Sequence, residues 1–426
     1  ASFLRTAVDI SSSCTGVYTA ETAAAILERT LNLSGLLPFT VHLRSLRCFE
    51  LDSRCRQAIV DNHRWINSWS DRTWVMPHVH GDLLLQVPAK ARTSQGGLLH
   101  KAEVVKTAKV YKKQWCFTHQ SYCSTARRSD VDFSGMPCQE NSKANVRRRF
   151  LDGRFANVYA VWAEVHKRQC TPLVILENTP DIPLDQVIKL FEPDYRAYQI
   201  FLKPGDLGHV ECEYLYDLYA VLEKIKQKIS NNVRTTPGDY LVSTPAAKHL
   251  VNAEMARKRK LQHDADTTCA WYLLNEREQL LVEQLDRDYL ARYQRLPASD
   301  PDLVYFLGDR YEFSRTWSAP SNSLPTFRRN TGKFLHRQSL TFLCPQDKLA
   351  ALGWPMTLGT ANEMGTTPFP ALDPHRADEM AGNSMHLTCA AVVLMLGLAC
   401  FGRQKQSARR ASGFTCAAPL RCSEHP

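Results

Sequence analysis

An apolar run, a loop of small residues and an alanine-rich helix follow one another at the start of the chain. Residues 3–10 read as a short buried strand, and Ser11-Ser12-Ser13-Cys14-Thr15-Gly16 as a loop. From Ala20 to Leu31 the pattern is helical, with Ala23, Ala24, Ile26, Leu27 and Leu31 on one face. Strand, small loop, helix is an α/β unit, and it can cradle a nucleotide-type ligand because the helix N-terminus offers unpaired N–H groups. A second short strand, Leu46 to Asp52, carries Glu50 at its end, where ribose hydroxyls are accepted in such folds. His80-Gly81-Asp82 then sets a further acid in a tight turn ahead of Leu83-Leu84-Leu85.

The next informative stretch is Phe133-Ser134-Gly135-Met136-Pro137-Cys138-Gln139-Glu140-Asn141-Ser142, which puts one cysteine between a proline and a glutamine. It precedes a basic segment with Lys143, Arg147, Arg148 and Arg149. Downstream, the apolar run Leu173-Val174-Ile175-Leu176 ends in Glu177-Asn178. A thiol nucleophile and an acid at the mouth of one sheet are the pairing that attack on a pyrimidine ring requires.

The net charge of +10 suits a polyanion-binding protein but is shared by many basic surfaces. The 14 cysteines follow no framework spacing, which points to reduced thiols in a nuclear or, alternatively, cytosolic setting. Residues 89–130 look inserted: they are rich in Lys and Arg, carry Tyr111, Trp115 and Phe117, and could form a nucleic-acid-facing flap. Within them Cys116, His119 and Cys123 have loosely metal-like spacing. The sequence offers no fourth ligand, so no metal is expected.

Helices are expected over 157–168 and 185–191, and a hairpin over 195–222 with Gly205 and Gly208 in its turn. Residues 253–293 are charged and helix-prone, and 296–335 are rich in Pro, Ser, Arg and aromatics, as in a separate, surface-rich module. The apolar run 386–401 spans about 15 residues against the roughly 20 needed to cross a bilayer, so a buried core helix is favoured over a membrane anchor. The tail after 402, with scattered Arg and Ser, reads as disordered.

Met136-Pro137-Cys138-Gln139 with Asn141-Ser142, then Asp152-Gly153-Arg154, then Leu176-Glu177-Asn178, resemble the successive motifs of the C5-cytosine methyltransferases. Gly382-Asn383-Ser384 before a long apolar helix resembles the last motif of that family, and Arg337–Thr341 through Leu352–Pro355 the one before it. The likeness runs from about residue 3 to 402, with 89–130 and 245–335 standing outside it. It departs from the family in two places. The first motif is serine-rich rather than glycine-rich. In addition, Gly208–Leu215 carries Glu211 and Glu213 where the family carries arginines, which puts catalytic competence in question.

The resemblance implies an α/β, Rossmann-like methyltransferase domain over 1–245, a target-recognition module over 246–336, a segment 337–402 that returns to the first domain, and a basic tail over 403–426. It implies S-adenosyl-L-methionine as cofactor, with Cys14, Gly16, Glu50, Asp82, Pro137, Asn383 and Ser384 lining its site. Cys138 is then the nucleophile and Glu177 the acid, with Gln139, Ser142, Arg147, Arg148 and Arg149 facing nucleic acid. The expected activity is DNA cytosine C5-methylation of a flipped base. The alternatives are a tRNA methyltransferase of the same family or a catalytically impaired nucleic-acid-binding relative.

Overall fold

Five short strands form the parallel centre of a seven-stranded sheet. In the computed structural model, which describes residues 7–142, 145, 147–202, 218–230, 234–312, 315–325, 327, 333–370 and 374–401, these are β1 (Ala7–Ser13), β2 (His42–Phe49), β3 (His78–His80), β6 (Val131–Gly135) and β7 (Leu173–Glu177). A hairpin of β4 (Lys113–Cys116) and β5 (Ser121–Ser124) adds two antiparallel strands beside β3, giving the order β5-β4-β3-β2-β1-β6-β7. Reading outward from β1, the chain goes to β2 and β3 on one side and to β6 and β7 on the other. The order therefore reverses between β1 and β6, which is the Rossmann-like switch point beyond whose strand ends α/β proteins place their ligands.

The helices that cover this sheet are α1 (Thr19–Ser34), α2 (Ser53–Trp69), α3 (Ala89–Arg92), α4 (Leu98–Thr107), α5 (Ala156–Gln169) and α6 (Leu184–Phe191). One apolar cluster combines β1 and β2 with α1 and α2, and a second combines α3, α4, α5 and α6. Residues 89–107 are thus not a flap. Ala91, Leu98 and Val105 are buried in the second cluster with Tyr159 and Trp162 of α5, and the hairpin that follows extends the sheet.

Ser11–Ser13 are strand and not loop, although serine is a poor strand former. Each is buried, and each joins a hydrogen-bond network, Ser13 through its N–H, which donates to Ser134 Oγ at 3.1 Å. Ser11 donates to Asp132 (2.8 Å), Ser12 lies against Thr15 (2.8 Å) and donates to Glu21, and Ser134 donates to Asp132. Three serines can run through a core because this network satisfies them.

Beyond β7 the chain forms α7 (Leu218–Ser230), so the part of the expected 195–222 hairpin from Leu218 onward is helix; 203–217, including Gly205 and Gly208, lie outside the described residues. α8 (Pro245–Arg259) and α9 (Glu276–Tyr293) then pack on a small antiparallel sheet of β8 (Val304–Phe306), β9 (Phe334–His336) and β10 (Thr341–Phe342). Tyr305, Phe306 and Trp317 sit inside this second unit, so its aromatic residues build a core rather than a surface. Phe342 and Cys344 belong to that core too, so the small unit continues past 336.

The chain rejoins the main body in α10 (Pro345–Ala351), where Leu349 enters the first cluster. It continues through α11 (Leu358–Glu363), α12 (Pro374–Asn383) and α13 (Leu387–Cys400). Trp354 and Phe369 pack against Trp65 of α2, with ring centroids 6.1 and 5.1 Å from it. Burying such rings contributes roughly 1.5–3 kcal/mol each. Over Met380–Cys400 the chain is long and apolar enough for a membrane span by length and composition. Leu394 and Leu398 nevertheless sit in the main core, and Gly397 fits close to Leu173, whose methyl would stand 2.9 Å from an added Cβ.

Candidate active site

Each parallel strand ends in a residue with chemical capacity, and all of these ends lie along one edge of the sheet. Cys14 follows β1, Glu50 follows β2, Asp82 stands two residues beyond β3, Cys138 stands three beyond β6, and Glu177 closes β7. The helix α1 begins at Thr19 over the same edge.

On the β1–β3 side the backbone is drawn in tightly. Cys14, Gly16 and Tyr18 all adopt left-handed conformations (φ 52°, 62° and 72°), so the turn is made with one glycine where more would be easier. The two side-chain-bearing residues cost about 1–2 kcal/mol each. Gly16 has a further reason to be glycine: a Cβ there would lie 2.7 Å from the carbonyl oxygen of Asn383. Its N–H donates to Glu50 Oε2 (2.7 Å), while Glu50 Oε1 accepts from the N–H of Asp52 (2.8 Å). Each carboxylate oxygen keeps lone-pair capacity for a second donor, such as a ligand hydroxyl.

Ser384 joins the returning segment to α1, lying 3.1 Å from Thr19 Oγ1 and accepting from Trp354 Nε1 at 3.0 Å. Asp82 accepts from the N–H of Leu84 (2.9 Å), and its carbonyl accepts from Gln114 (2.8 Å). Burial pushes the Cys14 thiol far above its ordinary value, and the charges of Glu50, Asp132 and Asp82 push it further. Burial also raises the Glu50 carboxyl, against the N–H groups of Asp52 and Gly16, which lower it. Acidic side chains thus line the crevice.

On the β6–β7 side the cysteine loop is held by amides and one phenol. Asn178 donates to the carbonyl of Met136 (3.0 Å) and to Tyr159 Oη (2.8 Å), Tyr159 donates to the carbonyl of Pro137 (3.0 Å), and Asn141 donates to Asn178 Oδ1 (3.1 Å). The N–H groups of Asn141 and Ser142 both donate to the carbonyl of Cys138 at 2.9 Å, turning the chain immediately after the thiol. A Cβ at Gly135, in register with Glu177, would meet the terminal methyl of Met385 at 2.7 Å and stand 3.7 Å from Glu177 Oε2.

Burial raises the Cys138 thiol above its ordinary value, and the nearby charge of Glu177 adds to this. Glu177 opens on the cleft, yet the protein crowded around it raises its carboxyl by desolvation. The resting pair is thus a thiol beside a carboxyl with a strengthened hold on its proton. Beneath them the polar core is satisfied. Burial alone would raise Asp132, but His166, 3.3 Å away, and hydrogen bonds from Ser134 and Ser11 bring it down.

Other sequence candidates are placed differently. Gln139 is exposed, and its carbonyl accepts from Asn145 (3.1 Å). Arg147, Arg148 and Arg149 are exposed just beyond the loop, and Arg148 pairs with Asp181 at 3.4 Å. Asp152 caps α4 by accepting from the N–H of Leu98 (3.2 Å), and Arg154 lies 3.8 Å from Glu140, so that motif supports the loop from behind. The arginine-less segment Gly208–Leu215 lies outside the described residues. A cavity of about 470 Å³ reaches Glu177 and Asn178, but it runs along the outer edge of β7 between α6 and α13 and touches neither Cys138 nor Glu50.

One cluster was only partly legible in the sequence. His78 joins Cys116, His119 and Cys123, and their ligand atoms all lie within 4.8 Å of one another. The expectation of no metal rested on the lack of a fourth ligand; pairing of β3 with β4 supplies one.

No protein-family model matches the chain, and no curated protein matches it. Among solved structures it is similar to the Entamoeba histolytica methyltransferase EhMeth (TM-score 0.40) and the S. pombe Dnmt2 methyltransferase (TM-score 0.39). Each is 10% identical, with 92% of this chain and 98% of the other covered. At that level of likeness the functional reading comes from the site's own geometry.

Proposed function

We propose that the chain is an S-adenosyl-L-methionine-dependent cytosine C5-methyltransferase acting on nucleic acid, with DNA as the favoured substrate. The observation that carries this reading is the placing of Cys138 and Glu177 at adjacent strand ends, across the switch point from Glu50 and Gly16. The bound cofactor supplies an electrophilic methyl group on a sulfonium. By the family resemblance Glu50 would accept from ribose hydroxyls and Asp82 from an adenine amino group, while the surrounding acidic side chains would favour the positive sulfur. Asn383, Ser384 and Pro137 close the walls.

Cytosine C5 is a poor nucleophile. Addition of the Cys138 thiolate at C6 makes C5 enamine-like, and Glu177 holds a proton at ring N3 where electron density would otherwise build up. A protonated Glu177 also removes the charge that opposes the thiolate. After methyl transfer the C5 proton leaves to solvent or a base, the S–C6 bond breaks, and the thiolate is released. The ring must leave its stack to reach Cys138, and the exposed Arg147–Arg149 run would grip phosphates while it does so.

The test is transfer of labelled methyl groups to DNA and to tRNA in parallel, with cofactor affinity measured by calorimetry. Cofactor binding together with label at cytosine C5 of DNA is the expected result. Label in tRNA alone moves the substrate to RNA. Absence of label from both, with cofactor bound, overturns the enzyme reading.

A further inference from the structure

The edge hairpin carries a second constellation whose chemistry does not depend on the methyltransferase reading. His119 Nδ1 lies 3.4 Å from Cys116 Sγ and 3.5 Å from Cys123 Sγ, and Cys116 Sγ lies 3.8 Å from His78 Nδ1. The two imidazole rings have centroids 4.6 Å apart. Hydrogen bonding alone does not account for this convergence. A ring nitrogen has one lone pair or one hydrogen, so His119 Nδ1 can serve only one of its two sulfurs at a time.

A tetrahedral ion accounts for all of it. With metal–sulfur bonds near 2.3 Å and metal–nitrogen bonds near 2.05 Å, neighbouring S and N ligands stand about 3.6 Å apart. The three sulfur–nitrogen separations of 3.4, 3.5 and 3.8 Å bracket that edge length. Two thiolates and two imidazoles also form the donor set that selects zinc over the harder cations.

We propose that His78, Cys116, His119 and Cys123 bind one structural zinc ion. Four protein ligands leave no open position, so the site is closed to catalysis. Binding releases the two thiol protons to solvent and forms four metal–ligand bonds, with no redox change. Three ligands come from the β4–β5 hairpin and its turn, and the fourth from β3. β3 is three residues long and meets β4 at the single registered pair His80–Cys116, so the metal staples a weak edge. The same hairpin holds the carbonyl of Asp82 through Gln114, and its Phe117 ring would stand 3.4 Å from a Cβ at Gly81. The staple therefore fixes the turn that carries Asp82.

The full chain, purified under reducing conditions, is to be assayed for metal by mass spectrometry and titrated with cobalt(II). About one zinc per chain is expected, along with the thiolate-to-cobalt charge-transfer band and tetrahedral visible bands of the cobalt form. Cys116→Ser and Cys123→Ser should each lower metal content at least about tenfold. His119→Cys, which keeps four ligands, should retain it. That variant and the wild-type stoichiometry remain decisive if a serine variant fails to fold. Wild-type protein that takes up neither metal overturns the proposal. So does metal content unchanged in the Cys116→Ser, Cys123→Ser double variant, or a Cys116–Cys123 disulfide in place of metal. Metal content is read without any methyl-transfer assay, so its failure is distinct from failure of the proposed enzyme activity.

Discussion

The two halves of the strand-end crevice are built on different physical plans. On the β1–β3 side, carboxylates are pinned by backbone N–H groups around a backbone drawn so close that Gly16 nearly touches Asn383. On the β6–β7 side, a loop held by side-chain amides sets a thiol near the carboxyl that closes β7. The first half is fixed acceptor geometry, suited to binding. The second sets a thiol near a carboxyl at adjacent strand ends, suited to proton and bond transfer. Desolvation raises Glu50 and Cys14 as it does Cys138 and Glu177, so the halves differ in chemistry and not in the sign of these shifts. Changes on one side should therefore alter affinity, and changes on the other only turnover.

The sharpest break is Cys138→Ala. Methyl transfer should fall by about 10³-fold or more while calorimetric cofactor affinity stays within about twofold. Glu177→Gln should lower kcat by about 10²-fold. Because it removes the charge that helps raise the Cys138 thiol, it should also speed alkylation of Cys138 at mildly alkaline pH, which iodoacetamide kinetics will read.

On the other side, Glu50→Gln should weaken cofactor binding about 30-fold and leave the Cys138 alkylation rate unchanged. A smaller effect concerns the floor beneath both halves. Burial pushes Glu21 up to about 7 from an ordinary 4.5, so between those values the unfolded chain gives up a proton that the folded chain keeps. Stability should thus fall as pH rises through that window, by about 3 kcal/mol, and Glu21→Gln should flatten the slope in urea titrations at pH 4.5 and 8.

The sequence revealed the two halves unequally. Glu177 and Glu50 were legible because each ends a strand-like run, Cys138 because it sits between Pro137 and Gln139, and Asp82 by its turn ahead of Leu83-Leu84-Leu85. Strand ends of a parallel sheet converge on one edge whatever lies between them. The serines of β1 were not, since a strand of three serines is intelligible only once Asp132, Glu21 and Ser134 are seen beside it. His78 was missed for a related reason. It stands 38 positions before Cys116, with α3 and α4 between them, and only the pairing of β3 with β4 brings them together. The aromatic-rich 296–335 stretch read as surface because its Pro and Ser masked the periodicity of a small sheet whose Tyr305 and Trp317 turn inward.

The central claim is that Cys138 forms a covalent bond to a cytosine ring. Incubating the full chain and cofactor with an oligonucleotide containing 5-fluorocytosine, where fluorine blocks the loss of the C5 proton, tests it most directly. A denaturation-resistant protein–oligonucleotide adduct in wild type, absent in Cys138→Ala, is the predicted result. An adduct that survives Cys138→Ala, or none in wild type with cofactor bound, would contradict it.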